Sequence, residues 1–477
     1  MVVAEGQSNR PETQSMSTPA ATPGLPDWGA PFIRNLFAAL DDAGVRWLVL
    51  RNHEDLPDRV GHDLDLLAHP DDAVLVEDVV RKVVQERGLL LLRSYRGIEH
   101  HGLDVAPADL VGRLVLHIDV HAALRYRGRL LIDADDLLRN RRQTGGVWVL
   151  SQGMEGYALL LHAALHKAEL KTKYAERLIA LESDEPGALL RTASARLGSN
   201  IGGKVASVRT QRELLALRRE LGRAIDRRYP GNLFGRPWFN VRSGIRMTNL
   251  RLRPRGLFVV FLGPDGSGKS STTDLLAGLL GSQPSVLPVH RVYLGSGQPL
   301  LPTRRLMRRL HGKSRGKPGA GRPVRDVAPR RLRGALHVMA DEILRYWVEV
   351  RPRLAPHGIV LADRYAYDIL RINNPTVRRG WFRRLAAALI PAPHVTFFLE
   401  GDPEVITARK KELTLNETIR QQRAYRELAH FIPSFRPIDL TTRDDAALRG
   451  VALEILSAFA VRNGGSAPEG RIRSSTG

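Results

Sequence analysis

Gly263-Pro264-Asp265-Gly266-Ser267-Gly268-Lys269-Ser270 decides the reading of this chain. The stretch satisfies the pattern G-x-x-x-x-G-K-[ST] at every fixed position. The apolar run Leu257 to Leu262 feeds it as a buried strand, and Ser271 to Leu280 leaves it with helical spacing. Strand, glycine turn and helix together form a phosphate-binding loop. The glycines let successive backbone N–H groups curl round a polyphosphate without a Cβ in the way. The helix N-terminus adds its partial positive charge. The expected nucleotide-binding residues are Gly263, Asp265, Gly266, Ser267, Gly268, Lys269, Ser270 and Ser271. In such a loop the lysine reaches the β- and γ-phosphates of ATP, and the Ser270 hydroxyl suits Mg²⁺.

Outside this motif, composition sets bounds. The chain has 477 residues, which predicts two or three domains, and 43% of them are hydrophobic, enough for real cores. No apolar run is long enough to span a membrane. The absence of cysteine excludes disulfides and thiolate metal sites and fits a cytoplasmic protein. The formal net charge is +22, carried mostly by arginine, which favours polyanionic partners. The densest basic cluster runs over 304–333, interrupted by Gly and Pro, and is the candidate surface for nucleic acid or a phosphate-rich substrate.

Periodicity divides the chain. Residues 1–30 read as a polar leader. Residues 31–150 carry short strands and helices that predict a small mixed sheet: a helix over Phe32 to Leu40, strands near Val45 to Leu50, Leu64 to Leu67, Leu89 to Leu92 and Leu114 to Val120, and a helix over Val74 to Glu86. Residues 151–245 read as a helical extension and linker, the pattern turning helical from Met154 to Leu181, with a further helix over Gln211 to Arg227. A Pro- and Gly-punctuated link follows to Gly256. In residues 256–461 strands alternate with helices, which predicts a doubly wound parallel sheet. Residues 462–477 read as a polar tail.

Two further strands of the last block end in chemistry-bearing residues. Gly358 to Ala362 runs into Asp363-Arg364-Tyr365, placing a carboxylate at the crevice where such sheets bind ligands. There Asp363 can meet Mg²⁺ or the acceptor, and Arg364 can fork onto a phosphate. The strand His394 to Glu400 leads to a helix with Arg409, Lys410 and Lys411, then to a charged stretch ending at Tyr425 that includes Arg423.

With its D-G-S-G-K-S loop, Asp363-Arg364-Tyr365 and the Arg409 to Tyr425 stretch, this block resembles the thymidylate kinase family of nucleoside-monophosphate kinases. The resemblance covers roughly the last 200 residues. It implies transfer of the γ-phosphoryl group of ATP, with Mg²⁺, to a small-molecule phosphate acceptor. Lys269, Asp363, Arg364, Arg409 and Arg423 are the catalytic candidates it implies, with Arg409 to Tyr425 as a lid. Kinases of this family are often dimers, so a homodimer is an expected state. One departure leaves the acceptor open: Val289 to Gly297 stands where the family carries an Arg-Glu-Pro-Gly-Gly segment.

The first block has its own acidic pattern. Asp63 and Asp65 lie two apart on a strand and so share a face. Asp119, flanked by His117 and His121, sits on another strand. Three carboxylates on adjacent strands can hold two Mg²⁺ ions for nucleotidyl transfer. The block resembles the nucleotidyltransferase superfamily, in which a D-x-D pair and a later acid bind metal. Leu50-Arg51-Asn52 replaces that family's Gly-Ser. His162 and His166 share one helix face and read as core or interface residues. Three readings follow: an ATP- and Mg²⁺-dependent kinase, a nucleotidyltransferase with a regulatory phosphate-loop domain, and an ATP-switched nucleic-acid binder.

Overall fold

The computed structural model describes residues 28–467 apart from 60, 62, 109–114, 282–286, 296–299, 301–331, 356, 370–379, 410–412 and 440–444. The expected leader up to residue 27, the basic cluster over 304–331, Lys410, Lys411 and the last ten residues lie outside the described residues.

The fold is mixed α/β and contains two large sheets and one small hairpin. The first sheet uses β1 (Trp47–Val49), β2 (Asp63–Ala68), β3 (Leu89–Arg96), β4 (His100–Pro107), β5 (Leu116–His121), β8 (Arg141–Thr144) and β9 (Val147–Leu150), in the order β3-β4-β5-β2-β1-β9-β8. It is mixed as expected: β2 pairs parallel with β5, whereas β4 pairs antiparallel with both β3 and β5. Strands β6 (Leu124–Tyr126) and β7 (Arg129–Ile132) form the separate hairpin. Helices Gly29–Asp42 and Ala73–Glu86 cover one face of this sheet, burying Phe32, Leu36, Val80 and Val83 against Leu64, Leu66 and Ile118.

The second sheet comprises β10 (Leu257–Leu262), β11 (Val289–Tyr293), β12 (Ile359–Asp363), β13 (Val395–Glu400) and β14 (Phe435–Asp439), in the order β11-β12-β10-β13-β14. Every pairing is parallel. Strand β10 reads as an uninterrupted apolar run because both its faces are covered. Phe258, Val260 and Leu262 enter one core, and Leu257, Val259 and Phe261 enter the other. The chain runs from β10 to β11 and β12 on one side, then crosses to β13 on the other, so a crevice opens beyond the C-terminal ends of β10 and β12.

The second of those cores does not stop at the parallel sheet. It also takes Leu90 and Leu92 of β3, Ala106 of β4 and Val115, all from the first block. Helix Asp445–Arg462 lies between, and its buried residues include Leu448, Val451, Ile455, Leu456 and Phe459. Apolar residues surround this helix because it is packed on both sides.

Two expectations, the link and the tail, are corrected here. The presumed link before Gly256 is a 21-residue helix, Asn232–Leu252, with Pro237 inside it. Pro237 has no N–H to offer the Leu233 carbonyl, yet the helix continues past it. The presumed tail is in part structured: the Leu91 N–H donates to Ser466 O (3.1 Å), Ser466 N–H to Leu91 O (2.9 Å) and Ser94 N–H to Asn463 O (3.1 Å). Strand β3 ends the sheet, and its free backbone groups are satisfied in this way. The helical stretch from Met154 is broken after a π-turn at His162–Lys167, where Ala168 adopts φ 56° before helix Thr172–Asp184.

His394 ties the β10–β13 pair together. Its Nδ1 accepts the Phe258 N–H at 2.8 Å, and burial, with Arg462 adding, lowers its pKa to about 4. A histidine whose folded pKa is depressed contributes stability that is present above its unfolded value, about 6.5, and is lost as pH falls toward the folded value. Urea denaturation at pH 7 and at pH 4.5 should therefore show a loss about 2 kcal/mol larger in the wild type than in His394→Asn. Equal losses would mean the ring is not held neutral.

Candidate functional site

The phosphate loop stands where the sequence predicts it, between β10 and helix Lys269–Leu280. Gly266 and Gly268 take φ of 93° and 92°, which only glycine adopts readily. A Cβ at Gly263 would meet Leu399 O at 2.7 Å, so the loop is seated tightly on the end of β13. Lys269 is buried, and its Nζ donates to Gly263 O (2.9 Å) and Pro264 O (2.7 Å), curling over the loop.

Register brings Asp363 to the same place. Phe261 of β10 faces Asp363 of β12, and the next backbone step is fixed by the Arg364 N–H donating to Phe261 O. Ser270 Oγ then donates to Asp363 Oδ2 at 2.5 Å. The other carboxylate oxygen, Asp363 Oδ1, is buried without a hydrogen-bond partner, and so is Ser267 Oγ. Buried polar atoms are rarely left so, and Asp363 lies on the wall of a cavity of about 510 Å³. Asp265, Gly266, Gly268, Lys269, Ser270, Ser271, Asp363, Arg364 and Arg409 line that cavity, with Tyr293. The donor set, one hydroxyl and one carboxylate beside a cationic glycine loop, fits Mg²⁺ and a polyphosphate.

Arg364 adopts φ 69° and is held by Asp265 and by Asp368, the latter at 3.1 Å. Asp368 also accepts from Tyr425 Oη at 2.6 Å. A chain of contacts therefore runs from helix Leu415–Leu428 to the loop itself. Arg409 ends helix Pro403–Arg409 at the cavity, whereas Arg423 is exposed on helix Leu415–Leu428 and does not line it. Tyr293 is positioned by Arg345, a fully buried guanidinium that donates to the carbonyls of Tyr293 and Gly295.

The first block assembles a second polar centre. Alternate residues of four neighbouring strands share one face: Asp65 of β2 is level with Asp119 of β5, Asp119 with Gly102 of β4, and Gly102 with Tyr95 of β3. A Cβ on Gly102 would meet the Tyr95 ring at 2.3 Å, so glycine is what lets that ring lie beside Asp119. Asp65, Asp119 and His121 bring ligand atoms within 4.8 Å of one another. Asp63, expected to join them, stands exposed at the start of β2 and falls outside this group. Asp65 is instead gripped by Arg51, whose Nε and Nη2 donate at 2.9 and 2.7 Å. Burial opposes ionisation of Asp65, but His121 and Arg51 outweigh it and hold its carboxyl far below the usual range.

His117 lies between two acids. Its Nδ1 donates to Asp104 Oδ1 at 2.5 Å, and its Nε2 approaches Asp119 Oδ1 at 3.1 Å. The second approach is ionic, without hydrogen-bond geometry, so Asp119 Oδ1 remains without a hydrogen-bond partner, as does His121 Nε2. Burial works against the imidazolium, yet the two carboxylates raise the His117 pKa to about 10. Beside Arg51, His162 is pushed the other way: burial first, then Arg51 and His166, lower it to about 3. The centre thus pairs a protonated histidine with a neutral one.

No family model matches this chain. A protein of Pyrobaculum aerophilum described as "Probable thymidylate kinase" is 30% identical over 155 residues, which span 32% of this chain and 70% of that protein. The chain belongs to the thymidylate kinase family. The relationship supports a kinase-like region within a longer chain. A solved thymidylate kinase from Ehrlichia chaffeensis also matches, at 21% identity and a TM-score of 0.28, over 42% of this chain and 97% of that one. The thymidylate kinase assignment therefore rests on the curated relative, and the parallel sheet on its own strand pairing.

Asp104, Tyr95 and His100, whose Nε2 lies 3.4 Å from Asp119 Oδ1, escaped the sequence reading because no spacing rule connects β3, β4 and β5; Asp368, Tyr425 and Arg345 escaped it because their partners are distant in sequence. Asp104 is fully buried between Arg93 and His117. Removing it takes the carboxylate from Arg93 and leaves His117 with Asp119 alone, so Asp104→Ala should cost about 3–5 kcal/mol. Chemical denaturation checks this, and a loss below about 1 kcal/mol would mean the cluster is solvated.

Proposed function

We propose that this protein is an ATP- and Mg²⁺-dependent phosphotransferase acting on a nucleoside monophosphate or a related phosphorylated small molecule. The observation that carries the reading is the Ser270–Asp363 hydrogen bond at the mouth of a complete phosphate loop. The loop N–H groups and Lys269 bind the β- and γ-phosphates. Ser270 and Asp363 would hold Mg²⁺, which would supply charge neutralisation. Arg409 and Arg364 face the cavity and offset charge as the γ-phosphoryl group leaves ADP and its phosphorus bonds the acceptor oxygen. Arg364 reaches phosphate by exchanging Asp265 or Asp368 for it, and Arg423 acts only if its helix turns inward. Residues 256–461 form this catalytic unit.

The test is transfer of label from γ-labelled ATP to a panel of nucleoside monophosphates, nucleosides and sugar phosphates. Lys269→Ala should lower transfer by about 10²-fold or more while far-UV circular dichroism stays unchanged. Near wild-type transfer by a folded variant would sink the assignment.

A specific observation favours a second reaction in residues 31–150. Asp119 Oδ1 and His121 Nε2 are buried, lack a hydrogen-bond partner and are adjacent to Asp65. These three residues would hold a divalent cation that polarises a nucleotide α-phosphate for nucleotidyl transfer. With α-labelled nucleotide, Asp119→Asn should abolish incorporation into product and Lys269→Ala should leave it intact. The reverse pattern would refute the second reaction and leave the first standing.

A further inference from the structure

Helix Asn232–Leu252 carries a surface that neither reaction uses. Phe234, Trp238, Val241, Ile245 and Leu252 are each between 52% and 80% exposed. Their spacing of four, three, four and seven places them within about 60° of one another round the helix. They form one apolar stripe, with Leu233 and Met247 exposed elsewhere on the helix, and stripes of this kind mark interaction sites. The opposite side of the helix holds it to the protein. Asn232 Oδ1 accepts the Leu130 N–H at 2.7 Å, and its Nδ2 donates to Leu130 O at 3.0 Å. The Arg246 guanidinium stands 5.7 Å from the Tyr95 ring centre, and Arg351 donates to the carbonyls of Arg251 and Leu252. The stripe therefore points away from a helix already fixed in place.

Charge identifies what covers it. The helix carries Arg236, Arg242, Arg246 and Arg251, and no Asp or Glu occurs between Asn232 and Gly256. Exposed arginines flank the stripe on both sides, Arg242 on one and Arg251 on the other. A second copy docked stripe to stripe would oppose arginine to arginine. The Arg-rich stretch over 304–331 is excluded as an occupant for the same reason. Aromatic and aliphatic residues outward, with arginines at the shoulders, match the headgroup boundary of an anionic bilayer: side chains enter the acyl region and guanidinium groups meet lipid phosphate. Among the described residues no helix is long and apolar enough to cross a membrane, so this one lies in the surface plane.

We propose that helix Asn232–Leu252 docks the protein peripherally on an anionic lipid surface through the Phe234–Trp238–Val241–Ile245–Leu252 stripe. Full-length protein is sedimented with vesicles of phosphatidylcholine alone and of phosphatidylcholine mixed with phosphatidylglycerol, at low and high salt. The expected result is at least about tenfold stronger partition onto anionic vesicles, weakening as salt rises. The double variant Trp238→Ser with Ile245→Asn should lose about tenfold of that partition at an unchanged thermal midpoint. A charge-reversal pair, Arg242→Glu with Arg251→Glu, leaves the stripe intact and should lose as much. Three outcomes overturn the proposal. The first is equal binding to neutral vesicles. The second is wild-type binding by both variants, which would assign the attraction to basic residues elsewhere. The third is a dimer, seen by light scattering, that the double variant converts to monomer.

Discussion

The constraint on which the structure depends is the two-sided burial of β10. A strand with six consecutive apolar residues cannot leave either face in water, so it requires a layer above and a layer below. One layer comes from the helices and loops around Tyr365 and Phe382. The other is helix Asp445–Arg462, which has no polar side of its own and needs a partner on its far face. Strands β3 and β4 supply it. Burial of one strand thus passes outward until both blocks are joined, and it fixes the crevice where the glycine loop and Asp363 meet.

The two polar centres solve opposite electrostatic problems. At the phosphate loop the backbone supplies the positive end of a helix, and Asp363 is left with an unpartnered oxygen. In the first block, acids and bases are largely matched in advance: Arg51 with Asp65, Arg93 and His117 with Asp104. Burying any of these alone would be costly, so their charges come as a set. Asp119 Oδ1 and His121 Nε2 make only ionic approaches within that set and no hydrogen bond.

What could be read from sequence follows from the range of the physics involved. The glycine loop, its strand and its helix are local, and all three appear where the residues indicate. Asp363 was legible because a strand end is a local property. The Asp65–Asp119 juxtaposition was legible because alternation puts both on one face, but the place of Asp63 was not: the strand begins there, and its side chain meets solvent. The Asn232–Leu252 helix was misread because Pro237, Gly235 and Gly244 resemble turn residues, whereas anchoring through Asn232 and Arg246 lets the helix persist. The pairing of Ser466 with Leu91 had no sequence signal, since any segment with free backbone groups can satisfy an edge.

That last pairing has a consequence in time. During synthesis β3 emerges well before Asn463 and Ser466, the backbone that completes its edge. At ordinary elongation rates the interval is on the order of a minute or less. Through that interval the first sheet keeps an uncovered edge, and Leu90 and Leu92 wait for a helix not yet made. Residues 31–150 are thus translated before residues 256–461 but completed only after them, and a nascent chain halted before Asp445 would present an adhesive strand rather than a folded module.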